Sequence, residues 1–307
     1  VNTDAFDGAE INDHGSPRFK PDIIAQQKLY ASSFATPTVC SAAAMMLERI
    51  TVDPSLSNAW NSVVMKAILM AGATRFNYKA STEWGEGISQ VNLPIFTQGE
   101  WIRVSDDQPT SEKYGAGSLN ILSSYNILDA GEFNPSATNP VANLGWDYED
   151  AIEENQTNIY TFNITTASMF SAVLNWHRII DDDLNSYLAD YSIKVFDAND
   201  TIVATSDNLT SNIELIEVKL GAGNYRMEIL AKDNGGAPLL SYGLAWTVKE
   251  VVPEPANIQL LNINGIDTLQ WNLNGFPTNN YKYRIEISQA EDFSSIEAEI
   301  YTDNAYY

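Results

Sequence analysis

Between residues 158 and 248 the chain alternates apolar and polar residues in short runs, and this alternation constrains the fold most. The runs are NIYTFNIT (158–165), SAVLNWH (171–177), YSIKVFD (191–197), TIVATS (201–206), IELIEVKL (213–220), NYRMEILA (224–231) and YGLAWTV (242–248). A period of two sends successive side chains to opposite faces of a strand. The turn-forming stretches DAND, SDN, GAGN and DNGG separate the runs. Many short strands at this spacing predict an antiparallel β-sandwich over 133–250. Alternation also assigns the Trp and Tyr positions to the core.

The flanking segments have a different texture. Val252-Pro253-Glu254-Pro255 reads as a stiff, extended linker. Beyond it, TLQWNL (268–273) and YKYRIEIS (281–288) begin a further β-module over 251–307, with room for three or four strands. Ahead of the sandwich, three helices are predicted within 1–132. The first runs from Ser33 to Arg49 and is apolar nearly all round, which predicts burial. Pro37 stands near its start, where a proline is tolerated. The second runs from Ser57 to Ala71, with Gly72 as its stop, and the third from Gly117 to Leu128. Residues 73–112 read as a long polar loop.

Charge and cysteine content remove whole function classes. The formal net charge is −23, which opposes nucleic-acid phosphates and anionic membranes alike. The longest nearly apolar run, Val39 to Leu47, is too short to span a bilayer. A single cysteine, Cys40, excludes an internal disulfide framework and a cysteine-based zinc site. Two histidines, His14 and His177, form no metal-binding spacing.

One segment points to chemistry. Lys20-Pro21-Asp22-Ile23-Ile24-Ala25 is followed by Ala31-Ser32-Ser33-Phe34-Ala35-Thr36-Pro37-Thr38-Val39. A serine just ahead of a helix has its N–H at the positive end of the helix dipole, where an oxyanion is stabilised. On the serine alone, an ordinary helix cap accounts for the pattern equally well. Val64-Met65-Lys66-Ala67-Ile68-Leu69-Met70 and Tyr114-Gly115-Ala116-Gly117-Ser118-Leu119-Asn120 follow in order. Together these four segments resemble the subtilisin-like serine peptidases, across roughly residues 10–130.

The resemblance implies the C-terminal part of an α/β catalytic domain, with Ser33 at the nucleophile position. It departs from the family at Ala31-Ser32, where Gly-Thr is usual, and at Thr38, Cys40 and Ser41, where His, Ala and Gly are usual. The family's Asp and His segments and its oxyanion Asn stand upstream of the serine and are not found here. His14 lies in a turn-like run without the family's histidine context, and Asp22 matches a structural element, not the triad acid. His177 falls within the strand pattern and reads as structural or surface.

Residues 143–248 resemble the pre-peptidase C-terminal β-sandwich. The matches are Gly145-Trp146, Tyr160-Thr161-Phe162, Leu174-Asn175-Trp176-His177, Val195 to Asn199, Val203 to Ser206 and Leu220 to Tyr225. Residues 253–307 resemble the start of a fibronectin type III-like module, through Trp271 and Tyr281 to Ser288. Trp176 or Trp246 offers an alternative reading as a glycan platform. Asp181-Asp182-Asp183 and Asp197/Asn199/Asp200 admit structural calcium, with a solvated turn as the simpler reading, and no cofactor is required.

The expected architecture is therefore multidomain: part of a subtilisin-like domain (1–132), a β-sandwich (133–250) and an incomplete β-module (251–307). The expected function is a secreted serine endopeptidase acting on protein or peptide substrates through Ser33, inactive without its Asp and His. The alternative is a catalytically silent scaffold whose β-modules bind a surface, a glycan or a partner protein.

Overall fold

The computed structural model describes residues 21–25, 32–75, 110, 114–180, 183, 186–233, 240–250, 256–263, 266–272, 283–287 and 298–302. The chain divides into two units, Val1–Glu250 and Val251–Tyr307.

The alternating runs of the first unit become two four-stranded antiparallel sheets. One has the order β1 (Leu144–Ile152), β10 (Leu240–Glu250), β3 (Ser168–Trp176), β8 (Ile213–Leu220). The other has the order β2 (Thr157–Ile164), β9 (Gly223–Asp233), β6 (Asp190–Phe196), β7 (Ile202–Ser206). β4 (Ile179–Ile180) pairs with β5 (Ser186–Tyr187) in a separate two-stranded ribbon. Inward-facing aromatics fill the space between the sheets. Phe162 stacks on Phe170 with centroids 4.7 Å apart, and Trp176 meets Tyr191 edge-on at 5.0 Å. Trp176, Tyr160, Tyr191 and Tyr242 are wholly buried.

The first sheet is covered on its other face as well. Helix α2 (Ser62–Gly72) buries nine of its eleven residues. Its core includes Trp146, Val173, Leu215 and Ala245 from the sheet. Three layers result: helices, first sheet, second sheet. This explains why β3 is buried almost continuously instead of alternating as its sequence suggests. The expected boundary near residue 132 runs through this shared core.

The helices depart from expectation in physically legible ways. α1 (Ser32–Val52) buries only Ala42, Met46 and Ile50, a stripe at four-residue spacing. Phe34, Met45 and Val52 are exposed, so the expected burial all round is not observed. The single helix expected at 57–71 is split. Asp53 accepts a hydrogen bond from the Ser55 N–H and starts a 3-10 helix, Pro54–Trp60. Asn61 is then extended, and α2 begins afresh at Ser62. The third helix starts later than expected. Gly117, at φ 117°, accepts a backbone bond from the Ile24 N–H, and Asn120 caps α3 (Ile121–Ala130) by accepting from the Ser123 N–H.

In the second unit, β11 (Ala256–Ile263) pairs with β12 (Ile266–Asn272), and β13 (Tyr283–Ile287) pairs with β14 (Ala298–Thr302). Trp271 on β12 is buried. The proline linker at 252–255 lies outside the described residues.

Three contacts fix α2 on the first sheet. The Asn175 Nδ2 donates to the Val63 carbonyl at 3.3 Å. Arg75, just past the helix, donates to Ser171 Oγ at 2.9 Å and to the Met70 carbonyl at 3.0 Å, and pairs with Glu217 at 2.5 Å. Gly243 of β10 meets the first turn of the helix directly: a Cβ there would lie 2.4 Å from both Val63 C and Val64 N. These are backbone atoms that cannot turn aside. We expect Gly243→Ala to cost about 2–3 kcal/mol, in the range of an overpacked core, read as a lower midpoint in chemical denaturation.

Candidate functional site

Two of the four motif segments are joined by backbone bonds, and a third reaches them through the Lys66 side chain. The Ile24 N–H donates to the Gly117 carbonyl at 3.0 Å, and the Leu119 N–H donates to the Ile24 carbonyl at 2.7 Å. The Ala116 N–H donates to the Asp22 carbonyl at 2.8 Å. Thr74, just past α2, exchanges two backbone bonds with Ser118, at 2.8 and 2.9 Å. Asp22 pairs with Lys66 of α2 at 3.2 Å. Gly115 sits at φ 57°, and a Cβ there would lie 2.3 Å from the Pro21 carbonyl oxygen. Only glycine meets both demands, positive φ and close approach. Asp22 is thus a structural residue, joined to Lys66.

Ser33 stands apart from this network. It is the second residue of α1 and is exposed. Its N–H lies in the first turn, where backbone donors have no intrahelical partner. Pro37 lies in the second helical turn, not the first as expected, and has no N–H for the Ser33 carbonyl four residues back. Thr38 and Ser41, two of the departures from the family pattern, turn their hydroxyls onto the carbonyls of Phe34 (3.1 Å) and Pro37 (2.8 Å). Among the described residues, no histidine or carboxylate is hydrogen-bonded to Ser33. His14 and Ala31 lie outside the described residues.

His177 is exposed at the end of β3, and its Nε2 is 2.9 Å from Ser62 Oγ. The residues are far apart in sequence, and no local pattern links them; only the seating of α2 on the sheet does.

The tryptophans and the Asp197 loop have structural partners. Trp176 and Trp246 are buried, with their indole N–H groups donating to the carbonyls of Ala189 (3.0 Å) and Ala142 (2.9 Å). Neither ring faces solvent, so neither is a glycan platform. Asp197 accepts from the N–H groups of Asn199 (2.8 Å) and Thr201 (2.9 Å), which hold its carboxyl below the usual range. Asp200 pairs with Arg226. Asp181 and Asp182 lie outside the described residues. Among the described residues, no three His, Cys, Asp or Glu side chains are grouped to hold a metal ion. No helix of the described residues is long and apolar enough to cross a membrane.

One carboxyl in the sandwich is strongly perturbed. Asp147 of β1 is buried between the sheets, and its Oδ2 accepts from Tyr160 OH at 2.6 Å. The Tyr160 hydroxyl is 2.9 Å from that of Tyr242, and Asn158 donates to Tyr242 OH and to Glu149 Oε2, both at 2.8 Å. The Asp147 Oδ1 has no partner. Burial, reinforced by the charges of Glu132 and Glu149, pushes the Asp147 carboxyl up to about 7 against the pull of the Tyr160 hydrogen bond.

No family model matches this chain, and no curated protein matches it. Solved structures similar to parts of it include three small domains. The pre-peptidase C-terminal domain of a Bacillus anthracis collagenase has 18% identity and a TM-score of 0.28, covering 38% of this chain and 99% of that one. The Aeromonas hydrophila periplasmic lysozyme inhibitor PliG has 10% identity and a TM-score of 0.26, covering 38% and 94%. The C-terminal CBM6 of LamC, a marine laminarinase from Zobellia galactanivorans, has 11% identity and a TM-score of 0.23, covering 38% and 98%. At these scores the likenesses assign no function.

The Asp147 carboxyl binds its proton more tightly in the folded than in the unfolded chain, so its contribution to stability is complete in acid. That contribution falls as pH rises from about 4 and is gone above about 7, a change on the order of 4 kcal/mol for a shift of about three units. Asp147→Asn keeps an acceptor for Tyr160 without the charge. We expect it to raise the melting temperature at pH 8 and leave it nearly unchanged at pH 4.5, in calorimetry run at both values.

Proposed function

We propose that this chain is the C-terminal part of a secreted subtilisin-like serine endopeptidase, followed by accessory β-modules, with Ser33 as its nucleophile. The observation that carries the reading is the convergence of the motif segments. Asp22 to Ile24, Lys66 with Thr74, and Gly115 to Asn120 interlock through backbone bonds and the Asp22–Lys66 pair. All but Thr74, which follows the Val64–Met70 segment by four residues, belong to the segments the family resemblance names, and their contacts do not follow from sequence proximity. Ser33 is accessible and lies in the first turn of a 21-residue helix.

In this reading Ser33 Oγ attacks a peptide carbonyl and an acyl-enzyme forms as the amine leaves. A histidine outside residues 1–307 takes the hydroxyl proton and delivers it to that amine, held in place by an aspartate. The Ser33 N–H, at the positive end of α1, donates to the oxyanion. Among the described residues no base is hydrogen-bonded to the Ser33 hydroxyl, so in this reading residues 1–307 by themselves do not hydrolyse peptides at Ser33.

The β-modules extend the enzyme toward a surface, glycan or protein partner. The exposed hydroxyl and the departures at Thr38 and Ser41 also fit a silent scaffold that works through those modules.

A fluorophosphonate probe on the complete parent protein separates the two. We expect labelling that disappears in Ser33→Ala. A folded parent that takes no label at Ser33 removes the peptidase reading and leaves the binding scaffold.

A further inference from the structure

We propose that Ser62 and His177 form a nucleophile–base pair that accepts acyl and phosphoryl groups from small activated electrophiles. The pair is separate from Ser33 and lies entirely within this chain. Ser62 Oγ and His177 Nε2 are 2.9 Å apart, within the reach at which a histidine takes a serine proton. Both residues are exposed, so an electrophile reaches them without an opening motion.

The two groups are held from both sides by buried structure. Ser62 is the first residue of α2, nearly all of which is buried, and the next residue's carbonyl accepts from the buried Asn175. His177 directly follows Trp176. The Trp176 N–H donates to the Asn212 carbonyl at 3.2 Å, and the Trp176 carbonyl accepts from Asn212 Nδ2 at 2.7 Å. These bonds fix the main chain beside both residues, so the two side chains start from fixed backbone positions. Such positioning replaces the entropy a free serine and imidazole lose on meeting.

The helix adds a second element. Ser62 stands at the N-terminus of an 11-residue helix, where partial positive charge favours the alkoxide and the oxyanion that form during attack. The net charge of −23 disfavours anionic reagents, so neutral or cationic esters are the matching class.

The step balances without a further reactant. With p-nitrophenyl acetate, a bond forms from Ser62 Oγ to the acyl carbon and the hydroxyl proton passes to His177 Nε2. The aryl oxygen then leaves with that proton as p-nitrophenol. Water later takes the acetyl group to acetate and restores the serine. With a fluorophosphonate, Oγ bonds to phosphorus, and fluoride and the proton depart.

The test uses residues 1–307 as they stand, treated in turn with a fluorophosphonate and with p-nitrophenyl acetate, and mapped by tryptic mass spectrometry. Cleavage at Arg49 and Lys66 puts Ser33 and Ser62 on different peptides, and fragmentation separates Ser62 from Ser55 and Ser57. We expect the adduct on Ser62, its loss in Ser62→Ala, and labelling about 100-fold slower in His177→Gln, as for removal of a general base. Free imidazole should restore labelling of His177→Ala and not of Ser62→Ala, a rescue that a purely structural hydrogen bond does not give. Circular dichroism checks that each variant is folded. Absence of an adduct on Ser62, or equal rates in folded His177→Gln, overturns the proposal. Neither outcome bears on Ser33, whose proposed base lies outside this chain.

Discussion

The seating of α2 on the outer face of the first sheet is the contact on which the rest of this unit depends. It turns a two-layer sandwich into three layers and gives β3 and β10 two apolar faces to bury. It requires a glycine at position 243, because the helix backbone occupies the place of a side chain. It also aligns Arg75 with Ser171 and Glu217, and Ser62 with His177. The motif network of Asp22, Lys66 and Gly115 is attached to this same helix, through the Asp22–Lys66 pair. The helical segment and the sandwich therefore share one core.

Buried carboxyls inside the sandwich are satisfied unequally. Asp147 spends one oxygen on Tyr160 and leaves the other unpaired, beside Glu132 and Glu149. An uncharged carboxyl is the inexpensive state there, because a buried charge without a counter-ion is strongly disfavoured. Glu214 shows the opposite solution. It is buried too, but accepts from Ser206 Oγ and from the Asn208 N–H. Two buried carboxyls in one sandwich thus differ in how their hydrogen bonds are satisfied.

Much of the fold was legible in residue order. All seven alternating runs between 158 and 248 became strands, with ends close to those expected, because period-two patterning and turn residues act locally. Strand β1, at 144–152, was missed: Trp146, Tyr148 and Ile152 carry its pattern, but Asp147, Glu149 and Asp150 mask it. The helix ends shifted where local chemistry competed, at Asp53-Pro54, Asn61 and Gly117. The composition of α1 predicted burial, yet it keeps one narrow buried stripe, since burial depends on what packs against a helix.

The sequence by itself determined seven strands of the sandwich, the turns between them, the net acidic charge and the ordered motif segments. Each of these is written in neighbouring residues. The tertiary structure alone decided which sheet face is covered and which serine meets a histidine. Those outcomes depend on residues more than a hundred positions apart, such as Ser62 and His177 or Val63 and Asn175. No local pattern encodes such a meeting; it follows from how an apolar helix and an apolar sheet face find the packing that buries both.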